Sequence, residues 1–188
     1  MTQYEYFKLF HAISKADYDL LISQLQTKFY RKNDLIIVPG QTQKELYFVK
    51  SGIQMSYFAA EKKPEVIAFT YPPNICAIPE SFSLQIPSKC YLTCLTDSEV
   101  DYITFDDLQK LFDQSQQIER LFRKMTEAVL AGIINRHHEL QALSMEERYR
   151  AFCQRSAHLL HLVSHKYIAS YLGISPTNFS KLFNTVKI

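Results

Sequence analysis

The stretch that decides the fold runs from residue 165 to 184 and reads His165-Lys-Tyr-Ile-Ala-Ser-Tyr-Leu-Gly-Ile-Ser-Pro-Thr-Asn-Phe-Ser-Lys-Leu-Phe-Asn184. Ser164 stands where a first helix needs an N-cap, and Ile168, Ala169 and Leu172 then share one face. Gly173 follows at the position where a helix ends in a left-handed residue. Ile174 plugs the turn. Ser175 is a second N-cap, with Pro176 at the first helical position, where a missing N–H costs nothing. Phe179, Leu182 and Phe183 form a second apolar stripe at i, i+3, i+4. Two short helices joined by a glycine turn read as a helix-turn-helix, which places the start of its second helix in the DNA major groove. An ordinary αα-hairpin in a helical bundle is the competing reading.

The charge around this stretch favours a polyanion. The 188 residues carry a net charge of +2. Arg148, Arg150, Arg155, Lys166, Lys181 and Lys187 fall in a tail without Asp or Glu, so the tail is +6 and residues 1–147 carry 2 − 6 = −4. Duplex DNA is the partner such a segment fits, with a salt-sensitive affinity.

Upstream, residues 115–143 read as one long helix. Ile118, Phe122, Met125, Val129, Gly132, Arg136, Leu140 and Leu143 lie close to a heptad seam, and Ala128, Ala131 and Gly132 permit close helix approach. A symmetric homodimer is expected there, with part of the stripe facing the chain's own roll and Arg136 marking where two helices diverge. Ser144 and Glu147 form a capping box that restarts a helix running to about Leu162. The domain boundary is placed there, giving domains over 1–143 and 144–188.

Residues 27–104 read as strands: Leu35-Ile-Ile-Val38, Leu46-Tyr-Phe-Val49, Gln54-Met-Ser-Tyr-Phe58, Val66-Ile-Ala-Phe-Thr70 and Tyr91-Leu-Thr-Cys-Leu95. Turn residues separate them at 39–40, 51–52, 61–64, 72–74 and 96–98, which implies a sandwich or barrel. A helix capped by Ser14 is expected to run to about Lys28, with Leu20, Leu21 and Leu25 on one face, and a short helix opens at Asp106. The start, from Met1 to Glu5, lacks a secretion-signal pattern, and no apolar run approaches a membrane span, so a cytoplasmic location is expected. Cys76, Cys90, Cys94 and Cys153 form no CxxC pair and read as buried reduced thiols. No His lies between His11 and His137, which argues against a metal-dependent enzyme built on a cupin-like roll, and no metal or cofactor is expected.

Lead-in helix, β-roll, long helix and helix-turn-helix come in an order that resembles the Crp/Fnr family of bacterial transcription regulators. The residues that carry it are Pro39-Gly40, Phe48-Val-Lys-Ser-Gly52, Glu80-Ser-Phe82, Pro87-Ser-Lys89, Glu146-Glu-Arg-Tyr149 and above all 168–176, which looks like the Bacteroidetes branch. The resemblance implies an α+β chain: a double-stranded β-helix, jelly-roll-like and cyclic-nucleotide-binding-like, then a dimerisation helix, then a helix-turn-helix of winged-helix-like type. It implies a DNA-binding homodimer, with RNA polymerase as a further partner and no enzymatic activity. Base and backbone contacts then fall to Lys166, Ser175, Pro176, Thr177, Asn178, Ser180 and Lys181, with Ser170 as a further backbone candidate. The family's usual Arg, Glu and Arg are replaced here by Pro, Thr and Lys, so paired arginine–guanine contacts are lost. The effector pocket resembles a degenerate nucleotide cassette at Ile78, Glu80, Ser81, Lys89 and Cys90. Ile78 cannot accept a ribose hydrogen bond, Lys89 lacks the arginine fork and Cys90 is a poor hydroxyl substitute, so cAMP is not expected to bind tightly. Another small effector, or none, is left open. The alternative is a small-molecule-binding or scaffold protein with a vestigial helix-turn-helix.

Overall fold

Thr2 and Ser14 open the first two helices. In the computed structural model, which describes residues 2–60 and 63–186, Thr2 and Glu5 cap each other reciprocally at the start of α1 (Gln3–Lys8). The first two residues of the turn expected at 61–64, and Lys187 of the basic tail, lie outside the described residues. Ser14 accepts the Asp17 N–H at 3.0 Å and caps α2 (Lys15–Ser23). That helix does not reach Lys28. It ends at Ser23, and Gln26–Tyr30 is strand β1, where Thr27, Phe29 and Tyr30 prefer extended backbone.

The remaining strands are β2 (Leu35–Ile37), β3 (Glu45–Ser51), β4 (Gln54–Phe58), β5 (Glu65–Thr70), β6 (Ile75–Cys76), β7 (Tyr91–Cys94) and β8 (Ser98–Thr104), with helix α3 (Pro79–Leu84) after β6. They form two four-stranded sheets, ordered β1-β8-β3-β6 and β2-β7-β4-β5. The recorded pairings of β1 and β3 with β8, of β2 with β7 and of β3 with β6 are all antiparallel. This is the roll expected from the sequence. Strand β3 shows why it holds: Leu46 and Phe48 enter one core cluster, while Tyr47 and Val49 enter another on the opposite face. At the turn after β3, Gly52 has φ +90°, and a Cβ there would lie 2.6 Å from the Asp97 carbonyl oxygen, so only glycine fits.

Four of the described helices lie between β8 and the tail pair. Thr104 caps α4 (Phe105–Gln114). Helix α5 (Gln116–Ala142) is the long helix, within one residue of each expected end. The Ser144–Glu147 capping box opens α6 (Met145–Ser156), which stops at Ser156 rather than Leu162. A separate turn, α7 (Leu159–Leu162), follows because Leu159 and Leu160 turn inward while Leu162 stays exposed. The tail pair is α8 (His165–Leu172) and α9 (Pro176–Thr185). Every element described between 144 and 186 is a helix, so the winged form expected from the resemblance is not found among these residues.

Contacts divide the chain into two compact units. Met1–Ser56 and Phe69–Val129 make the first; Tyr57–Ala68 and Leu130–Ile188 make the second. The tip of the β4–β5 hairpin thus belongs with the C-terminal helices.

Candidate functional site

The two short tail helices and their glycine turn form as their residues dictate. Gly173 is left-handed at φ 64°, and the N–H groups of Gly173 and Ile174 donate to the Ser170 and Ala169 carbonyls at 3.0 Å. Ile174 is buried. Ser175 accepts the Asn178 N–H at 3.1 Å, and Pro176 takes the first helical position. Ser164 occupies the N-cap of α8, but its hydroxyl makes no capping bond there. Phe179 is fully buried and holds α9 in place: its ring centroid lies 5.8 Å from that of Tyr149 and 4.9 Å from that of His165. The opposite face of α9 is open. Pro176, Thr177, Ser180 and Lys181 are exposed there, as are Ser175 at the cap and Lys166 on α8. Asn178 differs from the other candidates. It is half-buried, and its Nδ2 donates to Met145 Sδ at 3.3 Å, which ties α9 to the start of α6.

Two neighbouring residues tether α8. Ser170 Oγ donates to the Pro64 carbonyl at 2.8 Å and accepts the Val66 N–H at 3.0 Å, so its hydroxyl is committed to the β4–β5 tip instead of facing a ligand. Arg136 stacks on the Tyr171 ring at 4.1 Å and donates to the Tyr171 carbonyl. Arg136 is therefore turned back onto its own α8. Its guanidinium also donates to Glu139 at 3.1 Å, and Arg155 grips the same carboxylate with two bonds. Burial would raise the Glu139 pKa, but the bonds and charges of Arg155 and Arg136 together outweigh it and hold the carboxyl below its ordinary value.

Three of the five expected effector-pocket positions, Ile78, Ser81 and Cys90, are buried. Ile78 and Cys90 are buried in the inner core cluster with Tyr47, Val49, Cys76, Leu92 and Val100. Burial pushes the Cys90 thiol up to about 11, and the Glu80 charge adds to this. Ser81 is buried: its Oγ accepts the Gln43 N–H at 2.9 Å and donates to the Ile86 carbonyl at 2.8 Å. Gln43, missed in the sequence, is the hub. Its Oε1 accepts the Ile78 N–H at 2.8 Å, and its Nε2 donates to the Glu45 carbonyl at 2.7 Å. Glu80 and Lys89 remain exposed. A polar glutamine in a Gln-Thr-Gln loop carries no pattern that would single it out.

The expected dimer seam splits along α5. Ile118, Phe122 and Met125 are buried in the first unit's own core, so they do not form a free seam. Val129 and Gly132 are exposed, in a run that is exposed from Thr126 to Asn135. A cleft of about 190 Å³ lies beside Met125, Ala128 and Val129, lined also by Tyr6, Phe10, Asn74 and Ile75. All four cysteines are buried free thiols. Among the described residues no group of three His, Cys, Asp or Glu side chains could hold a metal, and no helix is long and apolar enough to cross a membrane.

Residues 27–115 match the cyclic nucleotide-binding domain family. FixK2 from Bradyrhizobium japonicum superposes with a TM-score of 0.74 at 19% identity, over 85% of this chain and 83% of that one. A transcriptional regulator of the Crp/Fnr family from Eubacterium rectale gives 0.69 at 15% identity, over 92% and 82%. This chain has the Crp/Fnr fold. The catabolite activator protein of Thermus thermophilus shares that fold as well, with a TM-score of 0.60 at 19% identity over 94% and 84%. A search of curated protein sequences finds no match. Within the Crp/Fnr fold, the part matched by sequence is the roll.

Proposed function

We propose that this chain is a sequence-reading, DNA-binding transcription regulator that works as a homodimer and does not take cAMP in its roll. The observation that carries the DNA reading is the exposed first turn and a half of α9, where Ser175, Thr177, Ser180 and Lys181 stand free of acidic neighbours in sequence. A polyanion meets there a helix N-terminus, hydroxyl donors and a lysine. Thr177 suits a thymine methyl and Lys181 a guanine or a phosphate. Ser175 and Lys166 suit the phosphate backbone. Asn178 is set aside from base reading by its bond to Met145.

Dimerisation is supported by the apolar run on α5. Leu130, Ile133 and Ile134 are 57%, 55% and 59% exposed, too much apolar surface on one helix to leave in water. Small residues at Ala128, Ala131 and Gly132 let a second copy approach.

Rejection of cAMP rests on the Gln43–Ser81 network and on Ile78, whose buried side chain offers no hydrogen-bond acceptor to a ribose. A fluorescent cyclic nucleotide titrated into the protein should show no saturable binding at micromolar concentration; saturation in that range contradicts the reading of the roll. Selection of duplexes from a random pool should enrich two related half-sites about one helical turn apart. A pool that stays random favours the alternative, a scaffold with a vestigial helix-turn-helix.

A further inference from the structure

The hydroxyl of Ser170 bridges two parts of the chain more than a hundred residues apart in sequence. It donates to the Pro64 carbonyl and accepts from the Val66 N–H, at 2.8 and 3.0 Å, with separations of 106 and 104 residues. A serine inside a helix ordinarily bonds back to its own helix or points to water. Here both hydrogen-bonding capacities go to the backbone of another element. The bonds are partly buried, and the tip they hold, Tyr57–Ala68, groups with the C-terminal helices while its strands run back into the sheet ordered β2-β7-β4-β5. The next residue, Tyr171, takes the Arg136 bond from α5. Helix α8 is thus held at two adjacent points, by the hairpin and by the long helix.

We infer that Ser170 is a positioning residue for DNA reading: through it the β4–β5 tip fixes the orientation of α8, and with it α9, so that two recognition helices in a dimer keep one spacing. This rests on the DNA-binding reading above. Two recognition helices gain from linkage only if their separation matches the two half-sites, since a mismatch lowers the effective concentration of the second contact. A clamp on α8 therefore acts on the paired site more than on either half.

The test uses the full-length protein with Ser170→Ala, which removes both bonds, and Ser170→Thr, which keeps a hydroxyl. Hydrogen exchange at the Val66 amide should speed up at least tenfold in Ser170→Ala and recover in Ser170→Thr. With a duplex selected on the wild-type protein, Ser170→Ala should bind the paired site about five- to tenfold more weakly, and an isolated half-site as well as wild type does. Equal loss on both duplexes means that Ser170 merely stabilises the helices, and overturns the inference. So does unchanged affinity for the paired site. If the wild-type protein binds no duplex, the DNA reading fails; the clamp itself is still judged by Val66 exchange, which must change in Ser170→Ala for any positioning role to survive.

Discussion

Glu139 shows what one residue does in the C-terminal unit. It is 9% exposed, and it lies between Arg136 and Arg155. Its folded pKa lies below the ordinary 4.5, so the carboxylate stabilises the fold above that value, and the stabilisation is lost as pH falls through the folded value. Glu139→Gln should lower stability at pH 7 by about 1–3 kcal/mol, since two guanidinium groups lose their counter-charge while Arg155 stays half-exposed. Thermal melts from pH 7 down to pH 3 check it. The difference between wild type and variant should shrink below pH 4.5, and a constant difference across the range would show that the charge is not the cause. None of this was legible beforehand. Arg136 reads as a defect in a heptad, because the sequence places it in the seam but does not show that Tyr171 lies within its reach.

At the scale of elements, the helix starts are largely legible, while the ends of α2 and α6 fall short of where the sequence puts them. Ser14, Ser144 and Ser175 each cap as their spacing implies, because an N-cap bond is local and needs only residues three apart. The short strands were legible where β-branched residues cluster. Strand β8 carries a weak sequence signal, because Glu99 and Asp101 alternate with its buried Ser98 and Val100. The two faces of α5 also needed the structure. Ile118 and Ile133 look alike in sequence, yet one is buried in the core and the other is 55% exposed. That difference sets the dimer prediction: Ile133→Asp should leave the protein folded and shift it to a monomer, read by light scattering or sedimentation. A dimer of undiminished strength would place the interface elsewhere. Ile118→Asp, by contrast, should unfold the roll.

At the scale of the whole molecule, the chain keeps the Crp/Fnr fold and buries three of the expected effector-pocket positions, Ile78, Ser81 and Cys90. Gln43 and Ser81 bond to backbone, and Ile78 and Cys90 pack into the inner core beside Tyr47, whose hydroxyl stays protonated because burial pushes its pKa far up. The residue types at Ile78, Lys89 and Cys90 are visible in sequence, while the bonds of Gln43 to Ser81, Ile78 and Glu45 are not. DNA recognition is tested by titrating the full-length protein against its selected duplex and a scrambled one, at about 50 to 200 mM salt. The selected duplex should bind more tightly, with an affinity that falls steeply with salt and a loss of about 1–3 kcal/mol in Lys181→Ala. Equal, weak binding to both duplexes would contradict it.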